Sequence, residues 1–337
     1  MTGLERTLSF VKGEPVDYPP FHPIIMRWAA KYAGIKYRDF CLDPISKCNA
    51  MMLCAKDFGI DWVTVMSDPW AEASAFGIQI EYPENNLPLD KAGHLPDAEA
   101  GEKLLKFDPL KNLRCNNRLE EIRLFKKLTN NELFIIGWVE GPVAEYVDLR
   151  GASNASVDFL LEPEAVEKTM EIIVESALDF ISLQIKAGAH CIGIGDAFCS
   201  QIGPELYEQF SFKRQKRLVE HIHNEGALAK LHICGNTDSI LPLMIASGAD
   251  IVDIDHLVPS MSGFVKLLGH NQVFSGKADP VTIIQDGTPE IINQSVSDNS
   301  IEMDGRCIIS AGCEITPGTS VENMKAFGFA GKNLIRR

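Results

Sequence analysis

The dominant pattern along the chain is a short, almost wholly apolar run, a polar residue at its end, and then a segment with apolar positions at helical spacing. It recurs eight times. The apolar runs are Phe21–Ile25, Trp62–Met66, Leu133–Val139, Cys191–Ile194, Leu228–Ile233, Ile251–Ile254, Val273–Ser275 and Cys307–Ser310. They scarcely alternate between polar and apolar, which predicts parallel strands covered on both faces. Between them, 163–187 places Val166, Met170, Ile173, Ala177, Phe180 and Leu183 on one helical face and opens on Pro163-Glu164, as a helix entrance does. Segments 204–223, 238–247 and 320–327 read the same way. Gly188 and Gly248 each precede an alanine and the next apolar run, which predicts left-handed helix ends feeding strands.

Eight alternations with no break in composition predict an α/β protein, a single (β/α)8 barrel over residues 1–337, with an N-terminal helical extension. One stretch departs from the pattern. From Phe76 to Asn117 the chain is rich in Pro, Gly, Asp and Asn, and it reads as a long loop excursion over the barrel mouth after the second strand.

Composition narrows the partners. At 45% hydrophobic and 23% charged, the 337 residues match an ordinary globular protein, able to fold without metal or disulfides. A net charge of −14 argues against nucleic acid. The one basic run, Lys213-Arg214-Gln215-Lys216-Arg217, reads as a solvated helix face. No apolar run reaches the roughly 18 residues of a membrane span. The start, Met1-Thr2-Gly3-Leu4-Glu5-Arg6, lacks the layout of a signal peptide. Nine cysteines without a secretory signal lead us to expect reduced thiols and a cytoplasmic location.

Barrel chemistry gathers where strands end, and those positions carry His22, Asp68, Glu140, Asp196, His232 with Cys234, Asp255 with His256, Lys277 with Asp279, and Cys313. Asp68 and Asp279 each precede a proline and could serve only as helix caps. His232-Ile233-Cys234 is the sharpest signal, because alternate residues of a strand point the same way and zinc accepts both imidazole and thiolate. Gly235 permits a tight turn behind it. Cys313, after the last strand, is the expected third ligand. The bland reading is that a buried cysteine is a small hydrophobe. That reading is taken for Cys41, Cys48, Cys54, Cys115, Cys191, Cys199 and Cys307, with Cys199 the one nearest a strand end. His94, His190, His221, His223 and His270 are read as structural. No glycine-rich phosphate loop follows the first strand, which disfavours a nucleotide enzyme.

These residues make the chain resemble the uroporphyrinogen decarboxylase superfamily over nearly its whole length. The resemblance rests on Arg6-Thr7 through Lys12-Gly13-Glu14-Pro15-Val16-Asp17, on Gly141-Pro142, on 230–237 around His232-Ile233-Cys234, and on 312–323 from Gly312-Cys313-Glu314 onward. The last two are similar to the zinc-containing corrinoid methyltransferases, such as the methylcobamide:coenzyme M enzymes. Two departures set the chain apart from true decarboxylases. Their arginine-rich carboxylate clamp is reduced to Arg27, and Cys313 stands where they have histidine. The resemblance implies a zinc site, substrate contacts at Asp68 and Tyr146, and an acidic group near zinc at Asp255 or His256, either of which could be a fourth ligand. Asp196, at the rim, joins the expected substrate-binding set, while Asp255 and His256 are the expected catalytic pair.

The function implied is methyl transfer between a small molecule, as thiol acceptor or methoxylated donor, and the cobalt of a corrinoid. Nothing in the chain resembles a corrinoid-binding domain, so a partner corrinoid protein is expected to bring methylcobalamin or its relative. The alternatives are metal-free decarboxylation of a porphyrinogen and a non-catalytic ligand-binding barrel.

Overall fold

The computed structural model describes residues 1–334. The apolar runs form parallel strands: β1 (Trp62–Thr64), β4 (Phe134–Glu140), β5 (Cys191–Gly195), β6 (Leu228–Ile233), β7 (Ile251–Ile254), β8 (Val273–Ala278) and β9 (Cys307–Ala311). They hydrogen-bond in the order β1-β4-β5-β6-β7-β8-β9. Six of the eight expected runs keep at least one predicted end, and every residue of β4 to β9 is enclosed except Leu228 and Lys277, which are partly open.

The first expected strand is the correction. Phe21–Ile25 is reduced to a single parallel bridge between Phe21 and Ile309. Pro20 and Pro23 lie on either side of the bridging residue and carry no N–H, so neither can donate to a ladder. The short segment nevertheless holds the eighth place in the ring. On one side His22 N–H donates to Ile309 O (2.9 Å) and Ile309 N–H to Pro20 O (2.9 Å). On the other, Asp61 N–H donates to Phe21 O (3.0 Å). The α/β barrel expected from the pattern is therefore the fold observed.

Helices lie outside the strands. Pro163–Ala187 has the predicted bounds, with proline in its first turn and Gly188 left-handed at its end (φ 119°). Gly248 is left-handed as well (φ 88°). The expected helix at 204–223 starts at Pro204 after a kink at Gly203. It widens through a π-turn at Tyr207–Phe212 and resumes as Lys213–Asn224. Its basic run faces acid: Arg214 pairs with Glu171 (2.9 Å), and Arg217 also reaches Glu171 (3.0 Å). The expected helix at 238–247 is shorter, Leu241–Ala246, and that at 320–327 becomes Val321–Ala330, capped by Ser320.

The excursion from Phe76 to Asn117 is more ordered than a loop. It carries the two-stranded hairpin of β2 (Gln79–Glu81) and β3 (Leu89–Ala92), the turn of helix Ala98–Gly101, and the start of helix Leu113–Leu128. The N-terminal helix Gly3–Val11, closed by a capping box between Thr2 and Glu5, forms the expected extension. Its Phe10 and Val11 pack with Trp62, Phe134, Ile136, Ile251, Val273 and Ile308, which fill the N-terminal end of the barrel. Above this apolar floor the interior turns polar, and the site lies there.

Candidate metal centre

β6 delivers Lys230 and His232 to the interior at every second residue, and Cys234 follows just past its end. Gly235, left-handed at φ 91°, turns the chain there, and its N–H donates to Asp255 Oδ2 (2.8 Å). A side chain at this glycine would press within 2.6 Å of Ser200 Oγ. Cys313 comes from the turn after β9. Gly312 N–H donates to Ala278 O (2.8 Å), and the glycine lies so close to the His256 backbone that a Cβ would sit 2.3 Å from its nitrogen. Only glycine lets the β9 turn meet the β7 turn and carry Cys313 across to Cys234.

The three side chains meet. His232 Nε2 lies 2.9 Å from Cys234 Sγ, and Cys234 Sγ lies 3.6 Å from Cys313 Sγ. All three potential ligand atoms fall within 4.8 Å of one another, the one His/Cys/Asp/Glu group among the described residues able to hold a metal. The imidazole is buried, whereas both thiols are half-exposed. The other seven cysteines are buried. One nitrogen and two sulfurs suit zinc, and three protein ligands leave the open position that a catalytic ion needs.

Electrostatics prepare the group. Burial opposes charge on His232, but Asp253 and Cys313 override it and raise its pKa to about 9. The Cys234 thiol and the nearby imidazole hold Cys313 down at about 4 against the effect of burial. Cys234 is pushed well up by that same Cys313 contact and by burial. Of the two coupled thiols, Cys313 is therefore the more readily ionised, and its charge favours the protonated imidazole beside it.

The other expected site residues are placed less uniformly. Asp255 lies over the centre through Gly235, and His256 Nδ1 is beside Asp255 Oδ1 (2.5 Å), with Nε2 3.7 Å from Asp279. Asp68 is buried against Arg114 and also accepts from Trp70 N–H (3.1 Å), so it does cap a turn. Asp279 caps Val281 and Thr282 (2.8 and 2.9 Å). Asp196 is fully enclosed and accepts from Ala144 N–H (2.7 Å), Gln215 Nε2 (2.8 Å) and Ser211. Tyr146 is buried in helix Pro142–Arg150 and donates to Asp158 (2.9 Å). His22, expected at the rim, is instead buried and stacks on Trp62 (4.3 Å), a residue of the apolar floor. Glu140 accepts from Trp138 Nε1 (2.8 Å), and burial pushes its carboxyl well up. Lys277 donates to Val258 O.

Sequence reasoning missed three features. Asp253 in β7 and Lys230 in β6 form a buried pair (2.9 Å) beneath His232. A charge inside each apolar run was the available signal. Arg27, at the mouth, is tied to Glu314 by its backbone N–H (2.9 Å) and by its guanidinium (3.0 Å from Nη2). Trp138 lies across Gly193 and Gly195, where any Cβ would strike it, and its ring stands 6.4 Å from that of His232.

Relatives agree with this architecture. Uroporphyrinogen decarboxylase of Prochlorococcus marinus (strain MIT 9211) is 28% identical over 346 residues, covering 97% of this chain and 96% of its own. The protein of the same name from Parasynechococcus marenigrum is 27% identical and covers 99% and 97%. A methyltransferase from Methanosarcina mazei has the same fold, with a TM-score of 0.87, 22% identity and 98% coverage of both chains. The family description "Uroporphyrinogen decarboxylase (URO-D)" matches residues 2–333, and the chain belongs to that family.

Proposed function

We propose that the protein is a zinc-dependent methyltransferase that moves a methyl group between a small molecule and the cobalt of a corrinoid carried by a partner protein. The convergence of His232, Cys234 and Cys313 at the barrel mouth carries this reading. Zinc, when bound, would supply Lewis acidity, keeping a thiol acceptor as its thiolate or polarising the leaving oxygen of a methylated donor. Transfer to a thiol forms a carbon–sulfur bond and breaks a carbon–cobalt bond, whose electron pair stays with the corrinoid.

The chain's own residues hold and orient. His232 is buried, while the two thiols are partly exposed and so are the ligands that a substrate would meet. Asp255 fixes the Gly235 turn, and with His256 it stands ready to take up the proton that a thiol loses. Asp68, Asp196 and Tyr146 shape the pocket through the turns and helices they fix.

The methyltransferase from Methanosarcina mazei supports this reading by its fold and name. The names of the curated relatives favour a second reading, decarboxylation of a porphyrinogen. Arg27 speaks against it. The single remnant of the carboxylate clamp is already paired with Glu314.

Purified protein is expected to hold about one zinc per chain, as a three-ligand catalytic centre does. Cys234→Ala or Cys313→Ala should abolish tight binding, and Cys48→Ala should not. With methylcobalamin as a poor surrogate for the partner, the methyl-cobalt spectrum should decay only when zinc and a suitable acceptor are present. Full zinc retention in both site variants would sink the assignment. So would the absence of any cobalt-linked change across a broad panel of donors, acceptors and corrinoid proteins.

A further inference from the structure

His232 and Asp253 stand opposite each other in the β6–β7 ladder, so both side chains share the barrel interior. Asp253 Oδ2 lies 2.8 Å from His232 Nδ1 and 2.9 Å from Lys230 Nζ. The oxygen sits off the direction of the ring N–H, so the imidazole contact is close and ionic but bent. Both Lys230 and Asp253 are inaccessible to solvent. Ser275 stands next to Asp253 in β8, and Lys230 lies over Trp62 at 5.8 Å. The other ring nitrogen, Nε2, faces Cys234 Sγ.

A buried ion pair is expensive to desolvate and seldom stabilises a core better than apolar residues would. Lys230 precedes His232 by two residues in β6, Asp253 stands opposite it in β7, and their shared oxygen lies beside the ring nitrogen that does not face the thiols. We propose that Asp253, itself held by Lys230, is a positioning residue of the metal centre. It keeps the proton of His232 on Nδ1 and so presents Nε2 to the ion. Metal-bound histidines commonly owe their tautomer and ring angle to such a carboxylate. The inference rests on the reading of His232 as a ligand.

The test is a double-mutant cycle on the full chain, with zinc affinity measured by competition against a chromogenic chelator. Asp253→Asn should weaken zinc binding about 10- to 100-fold. In a His232→Ala background the same change should cost nothing further, because Asp253 acts only through the ring. Parental affinity in folded Asp253→Asn protein would overturn the proposal, and so would losses that multiply in the double variant. If Asp253→Asn does not fold, Lys230→Gln enters the same cycle. It should weaken binding about tenfold in the parent and not at all beside His232→Ala; parental affinity there also overturns the proposal. A parent that binds no zinc would instead bring down the metal centre itself, which separates the two failures.

Discussion

At the scale of single residues, the protons on the three metal-binding side chains set how the centre responds to pH. Zinc takes imidazole as the neutral base and cysteine as thiolate. At pH 7 His232, raised to about 9, must give up one proton, and Cys234, pushed well up, must give up another. Cys313, held near 4, gives up none. Binding should therefore release about two protons, and affinity should rise about 100-fold per pH unit between roughly pH 6 and 8. Calorimetry in buffers of different ionisation enthalpy measures the number directly; release of none or of three would contradict this arrangement. The sign reverses for the metal-free protein. Its His232–Asp253 contact stabilises the fold fully below the ordinary histidine pKa and is lost as pH rises through about 9. His232 and Cys234 were legible in the sequence because a strand has period two. Asp253 was not, since its role depends on which residue of the neighbouring strand stands opposite, and register is a tertiary property.

At the scale of elements, most boundaries follow from local chemistry, such as Pro163 at a helix start and Gly188 at its end. The runs that failed or shifted did so for local reasons too: Pro20 and Pro23 cut the first strand to a bridge. What one sequence does not display is the packing between distant helices. Lys47 in helix Pro44–Phe58 and Glu121 in helix Leu113–Leu128 pair at 2.9 Å with both side chains fully buried, although 74 residues separate them. Lys47 also donates to Val65 O, just past β1. Removing one partner strands the other charge in the core, so Lys47→Met should destabilise by about 3–5 kcal/mol. Lys47→Met combined with Glu121→Leu should recover most of that loss. Urea unfolding of the two variants checks this, and a double variant no more stable than the single would show that the pair itself is needed. Neither change touches the thiols, so zinc content should stay at the parental level.

At the scale of the whole molecule, the barrel runs from an apolar floor sealed by the N-terminal helix to a polar mouth, and several cations at or behind that mouth, among the described residues, are already engaged. Arg27 is held by Glu314, Arg114 by Asp68, and Arg118 by Glu72, while Lys277 donates to a backbone carbonyl. Each of these pairs closes a contact between segments far apart in sequence, so the count of arginines alone was a poor guide to substrate charge. A polycarboxylate porphyrinogen needs free guanidinium groups to offset the desolvation of its carboxylates, and an acidic chain of net charge −14 adds long-range repulsion. We therefore expect no carbon dioxide release from a porphyrinogen, with or without zinc, under anaerobic conditions in which methylcobalamin turnover is measured in parallel. Glu314→Gln tests the cause. It removes the charge that occupies Arg27, so binding of a simple carboxylate to the mouth should tighten, read as protection of the Cys313 thiol from alkylation in zinc-free protein. Decarboxylation by the parent at a rate comparable to methyl transfer would reverse the functional reading. Unchanged carboxylate binding in Glu314→Gln would leave the methyltransferase standing but show that Arg27 does not decide which substrates enter.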